Sequence, residues 1–370
     1  MYNDDFLYKK LAKRHAANAF RQLCLPYGKV DFCSNDYLGI VKHNLLNNAP
    51  AQNHSLKTGA TGSRLLAGNY ALIEEAEKQI ALFHQAETAL IFNSGYDANL
   101  GVLSAVPQRG DTVLYDYLSH ASIRDGIRLS LAQSYSFAHN DLNALEKKLQ
   151  QIWVTTGSNI FIVTESVFSM DGDLCPLPEL VSLATKYNAH LIIDEAHATG
   201  VVGEKGEGLV QKHQLQDQVF CRIHTFGKAC GCHGAVVLGS QSLKDYCINF
   251  ARAFIYSTAL PEHSVFLIQN SYRLFPLMNK ERKHLQKLIS IFQSSQLMHE
   301  KLIPQTPVQI VIIPGNDAVK AKADALQQHG FDVRPVLYPT VPAGKERLRI
   351  VLHAFNTVEE LHSLTALLNV

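Results

Sequence analysis

Ile192-Ile193-Asp194-Glu195-Ala196-His197-Ala198-Thr199-Gly200, read with Thr225-Phe226-Gly227-Lys228 downstream, decides how the chain is built. Leu191, Ile192 and Ile193 form a short apolar run that ends abruptly in charge. A parallel strand buried on both faces has this pattern. Its carboxyl end opens onto the crevice where open α/β sheets collect ligands. Asp194 therefore stands where a carboxylate can meet a bound cation. Val219 to Thr225 is a second such run and leads to Lys228. A partly desolvated lysine can become a neutral amine and attack a carbonyl.

An aspartate and a lysine on neighbouring strand ends suggest pyridoxal phosphate. That cofactor needs a Schiff-base lysine and an anionic partner for its pyridinium nitrogen. Three other readings of the same residues stay open at this point. Asp-Glu-Ala-His also ends a metal-binding strand in some helicases, which need a Gly-x-x-x-x-Gly-Lys-Ser/Thr loop upstream. Here Gly227-Lys228 is followed by Ala229, and Gly59 to Arg64 contains no lysine. Zinc held by Asp194, Glu195 and His197 would lack the His-Glu-x-x-His spacing. The plainest reading is a strand end whose charges are solvated.

The 370 residues, 46% hydrophobic and 18% charged, are enough for two domains, or for one large domain with an appendage. A net charge of +1 without long runs of either sign argues against a nucleic-acid or membrane-surface partner. No apolar stretch reaches the roughly 18 residues of a membrane span. Met1 to Asp5 is acidic and lacks the regions of a signal peptide. The 7 cysteines are scattered and odd in number, which fits reduced cytoplasmic thiols better than a disulfide framework. Cys230-Gly231-Cys232-His233 has no second pair at zinc-finger spacing and reads as incidental.

Residues 5 to 24 read as a helix rich in lysine and arginine. Asp31 to Gly39 gives a short strand and a turn. Thr58 to Asn69 is a glycine-rich loop whose backbone could approach a ligand closely. Ala89 to Phe92 is a strand candidate that runs into Asn93-Ser94-Gly95-Tyr96, where a helix begins with Ser94 as its N-cap. Such a helix start is a ready anion site, so Gly95 marks a candidate phosphate cradle. Thr112 to Tyr115 is a strand, followed by His120 and a helix from about Ala121 to Leu131. Asn159 to Thr164 is a strand, and a helix around Pro178 to Tyr187 leads into the Asp194 strand. Residues 89 to 240 thus alternate strand and helix, the signature of a mostly parallel sheet flanked by helices. Beyond about 255, long helical patterns and the strands Val308 to Ile313 and Leu348 to Leu352 give a smaller α/β C-terminal domain. The expected division is 1–45, 46–255 and 256–370.

In order along nearly the whole chain, these motifs resemble the α-oxoamine synthases, a family of fold-type I pyridoxal phosphate enzymes. The matching runs are 34–39, 58–69, 93–99, 119–126, 165–173, 194–200, 225–228, 256–261 and 339–352. The resemblance implies catalytic roles for Lys228, Asp194, His197 and His120. Lys228 would hold the cofactor and move protons. Asp194 would pair with the ring nitrogen, His197 with the ring 3-oxygen, and His120 would stack on the ring. The Gly95 and Tyr96 amides with Thr225 would hold the phosphate, and Ser169 is a further cofactor contact. Thr258 would come from the neighbouring subunit of a homodimer with shared active sites. Arg349 would grip the amino-acid carboxylate, while Arg347, two residues earlier, is expected to face away from it. Arg21 is a candidate for the acyl substrate, and Thr340 is a further substrate-binding candidate.

The implied reaction is a decarboxylating condensation of an amino acid with an acyl thioester. Within the family, the runs 137–142, 197–201 and 339–344 resemble those of its alanine-using members, which implies L-alanine and a pimeloyl thioester, on coenzyme A or acyl carrier protein. Sister enzymes condense glycine or serine with other acyl thioesters. The chain departs from many relatives at Arg64-Leu65-Leu66, and at Asn356, where a histidine is usual. Both departures bear on acyl preference.

Overall fold

Continuous β-branched and aliphatic runs with two-residue alternation become strands whose two faces both need cover. The computed structural model describes residues 4–26, 28–47, 56–153 and 158–370, with Trp153 described by its backbone alone. Met1 to Asn3, part of the acidic N-terminal run, lie outside the described residues. In chain order the strands are β1 (Val30–Asp31), β2 (Thr88–Phe92), β3 (Thr112–Asp116), β4 (Gln133–Phe137), β5 (Ile160–Glu165) and β6 (His190–Asp194). They continue as β7 (Cys221–Thr225), β8 (Ala235–Gly239), β9 (Val308–Ile312), β10 (Phe331–Asp332), β11 (Arg334–Val336) and β12 (Arg347–Val351).

The chain forms two compact units. The larger comprises Leu38–Ser169 and Leu174–Arg282; the smaller comprises Met1–Tyr37, Met170–Asp173 and Lys283–Val370. This division differs from the one expected from sequence. The helix Glu262–Leu274 belongs to the larger unit because its buried face is tied there. Tyr272 Oη lies 3.1 Å from His84 Nε2, and Ser271 Oγ donates to the Cys230 carbonyl at 2.6 Å.

The larger unit is built on a 7-stranded sheet in the order β2-β8-β7-β6-β5-β3-β4. Its pairs are parallel except those of β8, which runs antiparallel to both β2 and β7. Ile192, Phe161 and Val163 join a core with the helices Gly95–Ala105 and Ala121–Leu129 on one face. Leu191, Ile193, Ile160 and Ile162 join a second core with the helices Leu142–Trp153 and Leu177–Lys186 on the other. Each such side chain, withdrawn from water, stabilises the fold by about 1.5–3 kcal/mol. The expected α/β architecture, a mostly parallel sheet flanked by helices, is therefore present, and the carboxyl ends of β5, β6 and β7 lie side by side.

In the smaller unit β11, β12 and β9 form an antiparallel sheet, and β1 pairs with β10 in parallel. The N-terminal helix is Asp5–Ala16, shorter than the expected 5–24. Asn18 takes a φ of +46°, and the Ala19 amide bonds back to the Arg14 carbonyl at 2.8 Å. Asparagine tolerates this left-handed closure, which ends the helix. Among the described residues no helix is long and apolar enough to cross a membrane.

Candidate active site

The helix Gly95–Ala105 starts directly after β2, and Ser94 caps it as the sequence predicts: Oγ accepts the Asp97 N–H at 3.0 Å. Side-chain capping thus satisfies one amide at this helix start. Gly95 is there for space as well as turn geometry, since a Cβ built on it would run into the Thr225 methyl group. Two residues predicted to hold one phosphate are therefore brought together from the helix start after β2 and the end of β7. Tyr96 follows, with its hydroxyl bonded to Asp125.

Asp194 ends β6 and is buried. Its Oδ2 accepts from Asn99 Nδ2 at 2.7 Å and its Oδ1 from the Ala196 N–H at 2.8 Å. Asn99 Nδ2 also lies 3.1 Å from Ser122 Oγ, which lies 2.7 Å from His120 Nδ1. The Ser122 N–H reaches the same ring nitrogen at 3.2 Å, so His120 caps the helix Ala121–Leu129. A hydrogen-bonded chain thus runs from Asp194 through Asn99 and Ser122 to His120. None of this spacing could be read from β6 alone. Asn99 was detectable only as a polar residue among Ala98, Gly101 and Val102 on a helix face that is otherwise apolar.

Glu165 ends β5 in register with Asp194 on β6. Its Oε1 accepts the His120 N–H at 2.7 Å. Burial first, and then the Asp194 charge, push its carboxyl up to about 8, while Lys228 pulls the other way. Burial first lowers His120, the Asp194 charge opposes this, and Lys228 lowers it further. Lys228 is therefore within electrostatic reach of both groups. It is half-buried in the turn after β7, where its carbonyl accepts from the Gly231 amide at 2.9 Å. Thr225 Oγ1 donates to the Ala196 carbonyl at 3.4 Å, which ties the ends of β7 and β6 together. His197 is buried on the turn after Asp194.

Glu195 points away from this group. Its carboxylate accepts from Ser166 Oγ at 2.6 Å and from the Leu209 and Val210 amides at 2.9 and 2.7 Å. Asp194 and Glu195 thus face different partners, and no cluster of metal-ligand type occurs among the described residues. Thr258 is exposed, and its carbonyl accepts from Asn93 Nδ2 at 2.7 Å. Ser169 is half-buried at the end of a larger-unit segment. Arg64 turns to Glu77 at 2.8 Å and to Asn69 at 2.7 Å, so its charge is used within the larger unit.

In the smaller unit Arg21 donates to Thr340 Oγ1 at 3.0 Å, which joins two residues predicted to bind substrate. Arg349 donates to Asn35 Oδ1 at 3.0 Å. Arg347 does not face away from Arg349: residues two apart on β12 share a strand face. Their partners separate them instead. Arg347 is ion-paired with Asp171 and donates to the Lys345 carbonyl at 2.9 Å. Asn356 is buried, taking the His353 N–H at 2.9 Å and donating to the Asp31 carbonyl at 3.1 Å.

The donor set suits pyridoxal phosphate. A helix start with a glycine kept free of a Cβ can receive a phosphate. A buried carboxylate with two fixed donors suits a pyridinium nitrogen, and a half-buried lysine suits an aldehyde. Comparison with known proteins agrees. The family described as aminotransferase class I and II matches residues 27–367. An 8-amino-7-oxononanoate synthase from Emericella nidulans is 40% identical over 393 residues, covering 97% of this chain and 93% of that protein. A serine palmitoyltransferase variant from S. paucimobilis, solved with a bound PLP–myriocin aldimine, has a TM-score of 0.86 at 25% identity, over 99% of this chain and 96% of that one. An 8-amino-7-oxononanoate synthase from Francisella tularensis has a TM-score of 0.75 at 27% identity, over 92% and 97% of the two chains.

Fold and site together define a fold-type I enzyme whose cofactor is pyridoxal phosphate. The chain belongs to the aminotransferase class I and II family and, within it, to the α-oxoamine synthases, which are pyridoxal phosphate-dependent acyltransferases.

Proposed function

We propose that this enzyme condenses L-alanine with a pimeloyl thioester to give 8-amino-7-oxononanoate, a step of biotin biosynthesis in the cytoplasm. The observation that carries the reading is 40% identity, over 97% of the chain, to a relative named 8-amino-7-oxononanoate synthase. A new bond joins the alanine α-carbon to the pimeloyl carbonyl carbon. The thioester C–S bond breaks and releases the thiol of coenzyme A or acyl carrier protein. The alanine carboxylate leaves as carbon dioxide, and a proton returns to the α-carbon.

The cofactor supplies an electron sink for negative charge at the α-carbon. Lys228 would anchor the cofactor through Nζ and move the α-proton. Asp194 is fixed by Asn99 and Ala196 and would keep the ring nitrogen protonated. His120 would stack on the ring, and His197 would bond its 3-oxygen. The Gly95 and Tyr96 amides and Thr225 would bind the phosphate, and Ser169 would be a further cofactor contact. Thr258, which is exposed, would reach the partner's site in a homodimer with shared active sites. Arg349 grips the substrate carboxylate with its planar fork. Arg21 would meet the acyl substrate, with Thr340 as a further substrate contact.

The backbone likeness to serine palmitoyltransferase, TM-score 0.86, favours a second reading with serine and a long acyl thioester. Visible absorbance of the holoenzyme separates the two. L-alanine, glycine and L-serine are added in turn, with and without pimeloyl-CoA, and thiol release is followed. A band shift with L-alanine, and thiol release that needs the pimeloyl thioester, are expected. A preference for serine with palmitoyl-CoA would overturn the proposal and keep the chemistry.

A further inference from the structure

Two parallel strands of the larger unit end in carboxylates at paired register positions: Glu165 on β5 and Asp194 on β6. Both are buried, at 3% and 6% exposure. The backbone binds them tightly there, with the Ser166 N–H donating to the Asp194 carbonyl at 2.9 Å. Two adjacent carboxyls cannot both ionise cheaply in such a place, so one keeps its proton. The hydrogen bonds decide which. Asp194 receives two donors, Asn99 Nδ2 at 2.7 Å and the Ala196 N–H at 2.8 Å, one on each oxygen. Glu165 receives one, the His120 N–H at 2.7 Å on Oε1. Donors favour the charged form, so the proton falls to Glu165, the carboxyl with the single donor. Among the described residues none pairs with Glu165 Oε2.

We propose that Glu165 is a positioning residue that serves this site as a neutral carboxylic acid. One oxygen fixes the backbone at His120, and the other presents a proton as a donor. The inference rests on the reading in which His120, Asp194 and Lys228 surround the cofactor. The charged and titratable groups facing Glu165 are Asp194, Lys228, His120 and, at the end of β3, Asp116. Asp116 is occupied elsewhere: it accepts from the Leu118 and Asn140 amides at 2.8 and 2.9 Å and meets His139 Nδ1 at 3.0 Å. Glu165 thus has a stated task on either side: hold His120 in place, and keep a second negative charge away from Asp194.

The test uses the holoenzyme and three chains: wild type, Glu165→Gln and Glu165→Ala. Glutamine keeps an acceptor for the His120 N–H and offers a donor in place of the acid proton. Infrared difference spectra of wild type against Glu165→Gln should contain a carboxylic C=O band at pH 6.5 that fades as the pH passes about 8. The cofactor absorbance of wild type should titrate over the same range, and Glu165→Gln should lose that step. Turnover at pH 7 should fall about tenfold or more in Glu165→Ala and recover largely in Glu165→Gln. A carboxylate band at pH 6.5, or a glutamine variant as impaired as alanine, would overturn the proposal. The infrared band is read in wild type whatever the substrate. An intact band with turnover on the wrong amino acid would therefore support this proposal while refuting the alanine assignment.

Discussion

Asn99 Nδ2 donates a 2.7 Å hydrogen bond to Asp194 Oδ2, joining residues 95 apart in the sequence. One helix therefore does two things: its first turn carries Gly95, and its second turn holds the carboxylate at the end of β6. A hydrogen bond to a buried charge contributes about 1.5–3 kcal/mol. Asn99→Ala leaves the Asp194 carboxylate with the Ala196 amide alone, so it is less firmly held in place. Turnover is expected to fall about 10- to 100-fold while pyridoxal phosphate still colours the protein. Asn99→Asp is expected to be worse, because it sets a second carboxylate against the first. Steady-state rates and the cofactor spectrum check both variants. An aspartate variant more active than the alanine one would remove Asn99 from this role.

Gly95 and Thr225 predict a rescue. A Cβ on residue 95 would meet the Thr225 γ-methyl and very little else. Gly95→Ala should therefore weaken pyridoxal phosphate binding about tenfold or more by shifting the β7 end or the helix start. Thr225→Ser removes the methyl and keeps the hydroxyl. The double variant Gly95→Ala/Thr225→Ser should bind the cofactor better than Gly95→Ala alone. Equilibrium titration of the apoproteins gives the four values of the cycle. Strict additivity of the two changes would mean that the close approach is not what demands glycine.

The sequence was legible where one residue type had one explanation. Leu191-Ile192-Ile193 is apolar on both faces because helices cover both, and the break at Asp194 marks the sheet edge. Ser94 before Gly95 announced the helix start that is observed. β4, Gln-Ser-Tyr-Ser-Phe, was not legible, since an exposed edge strand needs no apolar alternation. The end of the N-terminal helix at Ala16 depends on a left-handed Asn18, and the residues beyond it look equally helical in composition. Asn99, Ser122 and Glu165 acquire their meaning from strand register and helix packing, which pair positions far apart in the chain.

Arg347 and Arg349 share a face of β12, and their partners predict different failures. Arg347 is buried against Asp171 and the Lys345 carbonyl, so Arg347→Ala strands a carboxylate and destabilises the fold by about 1–3 kcal/mol. Thermal melting should detect this as a lowered midpoint. Arg349 meets Asn35 through one nitrogen and carries the proposed carboxylate-binding fork. Arg349→Lys keeps the charge and loses the planar pair of donors. It should raise KM for the amino acid about tenfold or more, with a smaller effect on kcat and no change in melting. A shifted melting point with an unchanged KM would make Arg349 structural.

His84 and His224 lie 4.0 Å apart, centroid to centroid, both buried in the larger unit. Burial first, and then the Arg222 guanidinium, hold His84 well below its usual 6.5; burial first, then His84 and Arg222, lower His224 likewise. Above pH 6.5 neither the folded nor the unfolded chain protonates them. Below it the unfolded chain binds two protons that the folded chain refuses, so stability falls by up to about 2.7 kcal/mol per pH unit. Glu165 acts in the opposite sense. Its folded carboxyl is raised from 4.5 to about 8, so its contribution is complete below 4.5 and is lost as the pH rises through 8. That slope is about 1.4 kcal/mol per unit for a single site, and the histidine pair outweighs it below 6.5. On these three groups the apoprotein is most stable near pH 6.5, and stability declines at a similar slope, about 1.4 kcal/mol per unit, on either side. Urea midpoints from pH 5.5 to 8.5 measure the curve, and Glu165→Gln should flatten its alkaline limb. A midpoint that rises from pH 6.5 to 5.5 would show that the buried histidines accept protons in the folded state.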